Sequence, residues 1–313
     1  LEIIDRVLAP LRGAMPGPPD TLGKPNVIPV SLALNAGIYN LLFGLRAGAP
    51  LVLLGRFEPV RFATLVARYG IRSTVLPPAA MVSPVEETAV TTLEPLRYVR
   101  SITAPLSPLQ ARRFSDRFGV TVLNGYGQAE LGEVIGWTAA DARAHPDRIG
   151  AVGRPHPGVA LAIRAEDGQP VETGDVGELW VRPASMGVGY ASGEDLADRV
   201  DGEGYVRTGD LARIDEAGFV WIEGRVADVI NRGGNKVVPE QVEEVLRPDP
   251  TVREVAVVGV PDQRLGEVPV AFVVPVGALG ATGSEMGGPH AGGPPVGALD
   301  VAALEARCRE HLV

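Results

Sequence analysis

Between residues 20 and 125 short apolar runs alternate with stretches of helical periodicity, and this alternation limits the possible folds more than any other feature of the chain. Leu51-Val52-Leu53-Leu54 suits a buried strand. Residues 59–69 follow with Val60, Phe62, Ala63, Leu65, Val66 and Tyr69 at helical spacing, and Gly70 stops them. Residues 73–76 read as the next strand, ended by Pro77-Pro78, and residues 96–102 as another. Ser107 and Pro108 suit the N-cap and first position of a helix running to Phe118, with Gly119 as its stop. Residues 120–123 are again strand-like. Such alternation implies an α/β class with a mostly parallel sheet covered by helices.

The pattern then changes. Residues 159–164, 178–182, 211–214 and 219–223 are short strands, with a hairpin turn at Asp215-Glu216-Ala217-Gly218, so a small antiparallel β unit is expected. From residue 225 a short helix (239–246), two apolar strands (252–260 and 268–274) and an amphipathic helix (301–313) predict a small α+β domain. Residues 277–297 are Gly, Ala, Pro and Ser without periodicity and read as a flexible insertion. The expected organisation is a large domain over 1–224 (α/β over 1–145, β-rich over 146–224), then a mobile, incomplete C-terminal domain over 225–313.

Lys and Arg number 29 against 38 Asp and Glu, a formal charge of -9, which argues against nucleic acid as a partner. No apolar stretch approaches the ~20 residues of a membrane span, and no basic leader precedes an apolar core. The single cysteine, Cys308, excludes an internal disulfide, and a cytoplasmic location is expected. The first residue is Leu1 rather than Met, so the chain is expected to be a piece of something longer. His145 and His156 lie beside prolines, His290 in the insertion and His311 on the last helix; they form no spaced ligand set. Trp137, Trp180 and Trp221 read as packing residues and Cys308 as a small apolar one.

Three segments carry chemistry. Asn124-Gly125-Tyr126-Gly127-Gln128-Ala129-Glu130 follows a strand. Glycines flanking an aromatic let the backbone approach a flat ligand while the ring stacks on it. A carboxylate four residues beyond the ring suits a metal on attached phosphates. A βα turn with a surface Tyr and Glu accounts for the segment equally well. In Tyr205-Val206-Arg207-Thr208-Gly209-Asp210-Leu211, Asp210 is a turn former or a ribose ligand, and alone the turn is favoured. The third, residues 224–243, contains Gly233-Gly234, which allows a tight, exposed loop.

In this order and spacing the segments resemble the adenylate-forming superfamily, which includes acyl-CoA synthetases, peptide-synthetase adenylation domains and beetle luciferases. Ile102-Thr103-Ala104-Pro105-Leu106 is similar to its Gly-Gly-Ala-Pro-Leu loop, and Val152-Gly153-Arg154-Pro155-His156-Pro157-Gly158 to its Gly-Arg-Pro-Leu-Pro-Gly. Gly177-Glu178-Leu179 with Gly189-Tyr190 resembles its Gly-Glu-Leu strand and Gly-Tyr turn. The resemblance implies an enzyme joining a carboxylic acid to AMP from ATP, releasing pyrophosphate, then passing the acyl group to the thiol of CoA. It implies Tyr126 against adenine, with Ala104, Gly125 and Gly127 beside it, and Glu130 as the catalytic ligand of Mg2+. Asp210 and Arg225 take the ribose, Ala227 is the hinge, and Gly233 and Gly234 line the channel for CoA. The Pro239–Glu243 segment and the 215–219 hairpin lean toward CoA ligases. A domain loading a carrier protein and a degenerate, non-catalytic nucleotide-binding relative are the alternatives.

The chain departs from the family pattern. Ala129 stands where Thr or Ser touches phosphate, Ala227 where Asp or Lys is common, and Asn231 where many relatives have Lys. Ser31-Leu32-Ala33-Leu34-Asn35-Ala36-Gly37 replaces Pro-Leu-Phe-His, which suggests a roomier pocket and a bulky acyl group. Thr21-Leu22-Gly23-Lys24-Pro25 is only an echo of the phosphate loop, and the Gly-Lys that supplies the C-terminal catalytic lysine is not among these residues. These 313 residues alone are therefore expected to adenylate poorly or not at all. Pyrophosphate release at a normal enzymatic rate from this chain by itself overturns that expectation.

Overall fold

The structure, a computed structural model, describes residue 4 and residues 24–184, 186–187, 196–276 and 300–311. The readings placed on Thr21 to Gly23, Gly189-Tyr190, residues 277–297 and residues 312–313 lie outside the described residues. In chain order the elements are β1 (Asn26–Ile28), α1 (Asn35–Arg46), β2 (Leu51–Leu53), α2 (Pro59–Tyr69), β3 (Ser73–Val75), α3 (Pro78–Glu86), β4 (Tyr98–Ser101), α4 (Pro108–Phe118) and β5 (Thr121–Gln128). Next come β6 (Gly132–Gly136), α5 (Ala139–Ala144), β7 (Arg154–Pro155), β8 (Ala160–Arg164), β9 (Gly177–Arg182), β10 (Val206–Ile214) and β11 (Val220–Arg225). The last are β12 (Ile230–Arg232), β13 (Asn235–Val237), α6 (Pro239–Leu246), β14 (Val252–Asp262), β15 (Gly266–Pro275) and α7 (Val301–His311).

The chain divides into two compact units. One comprises Leu1–Asp175, Leu179–Thr208 and Arg213–Trp221; the other comprises Val176–Glu178, Gly209–Ala212 and Ile222–Val313. In the first unit β3, β4 and β5 pair in parallel, as the alternation requires, and β6 and β7 extend the sheet antiparallel. β1 and β2 form a separate parallel pair. Phe62 and Val66 of α2, Ala111 and Phe114 of α4, and Val99 and Val122 of the sheet are buried together. Glu58 caps α2 by accepting from the N–H groups of Val60 and Arg61, and Gly70 and Gly119 end α2 and α4 at φ +62 and +64. β8 to β11 form a sheet in the order β11-β10-β9-β8. The expected turn joins β10 to β11, with Asp215 N–H donating to the Phe219 carbonyl at 2.9 Å and Gly218 at φ +79.

In the second unit the strand order is β13-β12-β15-β14, with long antiparallel pairing of β14 and β15. Val242 and Leu246 of α6 pack with Val252, Val255, Val257 and Leu304, and Cys308 borders that core. The tryptophans pack, as expected. Trp137 lies 4.7 Å from Phe219 and donates to the Ala151 carbonyl, Trp221 donates to Asp215, and Arg164 covers Trp180.

Four features depart from the sequence reading. The 124–128 segment is not a βα turn: it is the second half of β5, in a hairpin with β6. Asp210 is no turn former, because it lies in the middle of β10 with its side chain buried. Helix α1 was unread, since its sequence has no capping side chain and no clean apolar stripe. Helix α3 was hidden by proline: Pro78 is tolerated in its first turn, and Pro84 lies within it.

The Gly-Arg-Pro segment is held by close backbone approach. Gly153 has φ +110, its carbonyl accepts from the Val220 N–H, and a Cβ there would overlap the Gly136 carbonyl. Gly153→Ala combines left-handed strain with overlap against backbone that cannot swing aside. Its expected cost is roughly 3 kcal/mol or more, read by urea denaturation. A loss of a few tenths only would show that β6 and the 153 loop separate freely.

Candidate functional site

The parallel strands β4 and β5 bring the 102–106 loop and the 124–130 segment to one place in the first unit. β4 ends at Ser101, opposite Asn124, so the 102–105 loop leaves the sheet beside Gly125 and Tyr126. Ligands of open α/β sheets bind outside such carboxyl ends. β5 continues past β4 only because its glycines permit it. A Cβ on Gly127 would overlap the Gly132 carbonyl, and one on Gly125 would sit 3.1 Å from the Glu133 carboxylate. A bulge between Tyr126 and Gly127 shifts the register there.

Ala104 lies on the exposed 102–105 loop. The preceding Thr103, at the place of the family's second glycine, has φ +84 and is the one described non-glycine residue with positive φ. For a β-branched residue this is a strained conformation.

Glu130 lies in the turn after β5, mostly buried, with Arg199 Nη1 3.7 Å from its carboxylate. Arg199 was not singled out from sequence. It is fixed by donating to Gln128 Oε1 at 3.1 Å and to the Arg207 carbonyl. Gln128 Nε2 donates in turn to the Thr208 carbonyl at 2.9 Å and lies 3.4 Å from the Tyr126 hydroxyl. One amide thus ties the aromatic, the arginine and the β10 strand two residues before Asp210. Among the described residues no group of three or more His, Cys, Asp or Glu could hold a metal ion. Mg2+ commonly takes one or two carboxylates plus substrate phosphates, and Glu130 fits that more modest role.

Beneath the β5–β6 hairpin lies a polar cluster. The Glu133 carboxylate accepts from Arg100 Nη1 and lies 3.1 Å from His156 Nε2; Arg100 Nη2 reaches the Trp137 carbonyl at 3.5 Å. Burial opposes ionisation of Glu133, but the His156 hydrogen bond and the Arg100 charge outweigh it and hold the carboxyl below its ordinary range. The Tyr39 hydroxyl is pushed up to about 12 by burial and by the Glu133 charge. His156 lies directly after β7, and its contact to Glu133 is a feature its place beside prolines does not predict. Gly37, taken as a sign of a roomy pocket, has a backbone reason to be small: a Cβ there would overlap the Ser31 carbonyl.

The second unit holds the remaining predicted residues. Asp210, 7% exposed in its side chain, pairs with the exposed Arg225 at 3.3 Å. Ala227 lies in the exposed 3-10 turn Val226–Asp228 that follows β11. Gly233 and Gly234, at φ +60 and +94, form the tight turn between β12 and β13. The Gly234 N–H donates to Asn231 Oδ1 at 3.0 Å, which gives Asn231 a local reason to replace lysine. A Cβ on Gly224 would meet Glu240 Oε2 and Val238 at 2.7 Å, so glycine is required where β11 passes over α6.

The mixed sheet with a glycine-flanked tyrosine on its extended central strand, together with a separate α+β unit, defines the adenylate-forming fold. A family model described as AMP-binding enzyme matches residues 18–191, and one for the AMP-binding enzyme C-terminal domain matches residues 241–312. The chain belongs to the AMP-binding enzyme family. It is 34% identical over 232 residues to a medium/long-chain-fatty-acid--CoA ligase, FadD8, of Mycobacterium tuberculosis, covering 72% of this chain and 40% of that protein. It is 37% identical over 185 residues to a sulfoacetate--CoA ligase of Cupriavidus necator, covering 57% and 35%. The amide bond synthetase McbA from Marinactinospora thermotolerans superposes with TM-score 0.80 at 30% identity, over 99% of this chain and 58% of that one. The matches thus span well under two thirds of these relatives' own lengths.

Thr103 offers a direct test of the loop. Left-handed strain on a β-branched residue costs about 1–3 kcal/mol, while glycine gives back about 0.5–1 kcal/mol in chain entropy. Thr103→Gly is therefore expected to stabilise the protein by about 1 kcal/mol, measured as a raised denaturation midpoint. Destabilisation would show that the threonine side chain holds the loop.

Proposed function

We propose that these residues act within an AMP-forming acyl-CoA synthetase, an acid–thiol ligase that converts a carboxylic acid and ATP to acyl-AMP and pyrophosphate and then transfers the acyl group to CoA. The observation that carries this reading is the β5 hairpin: an aromatic and two glycines at the carboxyl end of a parallel sheet, followed by a carboxylate held beside a fixed cation. CoA ligases among the curated relatives support the thiol acceptor.

In this reading Tyr126 lies against adenine, with Ala104, Gly125 and Gly127 as walls. Asp210 accepts from the ribose hydroxyls, and its existing pair with Arg225 holds that carboxylate in place. Glu130 would hold Mg2+, which would supply positive charge to offset the negative charge of the phosphates. Ala129 gives the phosphate no hydroxyl, and Arg199 stands beside the same turn as a cation. Ala227 serves as the hinge of a C-terminal domain beginning at 225, after a large domain ending at 224, and Gly233 and Gly234 border the thiol arm of CoA. No described helix is long and apolar enough to cross a membrane. A cytoplasmic enzyme is the reading we adopt.

The test is binding of a non-hydrolysable acyl-adenylate analogue by calorimetry. Tyr126→Ala and Asp210→Ala are each expected to weaken it about tenfold to a hundredfold, through lost stacking and lost ribose hydrogen bonds respectively. Wild-type affinity in Asp210→Ala, with the fold intact by circular dichroism, overturns the assignment.

A further inference from the structure

Four titratable side chains from four separate parts of the first unit converge next to the nucleotide strand: Tyr39 of α1, Arg100 of β4, Glu133 of β6 and His156 of the loop after β7. Glu133 and His156 are seated on a floor made by two glycines that face each other across the β5–β6 ladder, Gly125 and Gly136. A Cβ on Gly136 would meet Glu133 Oε1 at 2.6 Å and the His156 ring at 2.9 Å. The hairpin therefore keeps both positions bare, and the carboxylate and imidazole occupy the space.

A charged network at this depth is a poor way to gain stability, since apolar side chains of similar volume commonly do as well or better. Its position is informative instead. Gly125 directly precedes Tyr126, and Arg100 lies one residue from the carboxyl end of β4. Its exposed parts are also informative. Glu133 is the most buried member of the ion pair, its side chain 16% exposed, and one of its oxygens serves both Arg100 and His156. The Arg100 and His156 side chains are about twice as exposed, at 33% and 28%. Glu133 holds a guanidinium and an imidazole, both of which stay partly exposed. Tyr39 keeps its proton and remains a donor as well. A face made of fixed donors rejects a bare hydrocarbon, which leaves them unpaired, and favours a group that brings oxygen acceptors.

We infer that the Tyr39–Arg100–Glu133–His156 cluster is a specificity element selecting a carboxylic acid with a second oxygen-bearing group, such as a hydroxyl, carbonyl or anionic oxygen, over an unsubstituted chain of equal length. This rests on the adenylate reading above and deepens it. Glu133 is a positioning residue, and Arg100 and His156 are the reading ones.

The experiment compares two acyl-sulfamoyl-adenosines of matched chain length, hexanoyl and its ω-carboxyl counterpart, binding to the full-length protein by calorimetry. The wild type is expected to favour the ω-carboxyl compound at least about tenfold. Arg100→Met leaves Glu133 without its arginine, so Arg100→Met/Glu133→Gln removes both charges together. Tyr39→Phe removes one hydroxyl only. The double variant is expected to bring the preference to within about threefold while hexanoyl binding holds or improves, an outcome that mere loosening of structure does not produce. Tyr39→Phe is expected to reduce the preference by a smaller factor. A wild type that favours hexanoyl, or a preference unchanged in both variants, overturns the specificity element and leaves the adenylate reading standing. Binding of neither compound by the wild type overturns the adenylate reading, and this inference with it.

Discussion

The extension of β5 beyond its parallel neighbour is the constraint on which the first unit's chemistry depends. β4 stops at Ser101, and β5 runs on for four more residues against β6 alone. A two-stranded extension of this kind is weak unless its partners come very close. Gly127 allows that approach, because any side chain there would strike the Gly132 backbone. The approach sets Tyr126, turns the chain at Ala129 so that Glu130 meets Arg199, and leaves the Gly125–Gly136 floor on which Glu133 and His156 sit. The setting of Tyr126 and the polar cluster are thus two results of one backbone geometry.

Much of the fold was legible because its signals are local. Helical spacing marked α2, Pro at N1 marked α4, a glycine past the last turn marked both, and the structure puts left-handed residues at Gly70 and Gly119. The helix at Pro239–Leu246 and the turn at 215–218 follow from equally local chemistry. Where local signals conflict with tertiary ones, the reading failed. Asp210 has the composition of a turn residue, and only pairing within β10 makes it a strand residue with a buried carboxylate. Likewise the glycines at 125 and 127 suggest a loop, while their real function is close packing inside a strand.

The motif residues were legible as a set, through order and spacing, but the residues that hold them were not. Gln128 lies inside a recognised segment, yet its amide matters only because Arg199 and Thr208, far along the chain, arrive at its two ends. A single chain has no pattern that predicts such a meeting. The same holds for Thr103. The resemblance to a Gly-Gly-Ala-Pro-Leu loop contained the clue, since a glycine replaced by threonine at a tight loop is a candidate for strain, and the φ of +84 supplies the reason.

Arg100 and Glu133 raise a sharper point about what small residues mean. Ala36 and Gly37 suggested room for a bulky acyl group, but Gly37 is small because the Ser31 carbonyl passes over it. Space opened by a glycine is not left empty by default: at Gly125 and Gly136 it is filled by a carboxylate and an imidazole brought from elsewhere. A glycine count therefore predicts close approach, and the chemistry of what approaches decides whether the result is a hole or a charged surface. Here the burial of Glu133 is offset by two donors that stay partly exposed. Selectivity at such a surface comes from the cost of leaving donors unpaired rather than from the volume available, and it is insensitive to chain length in a way that a size-limited pocket is not.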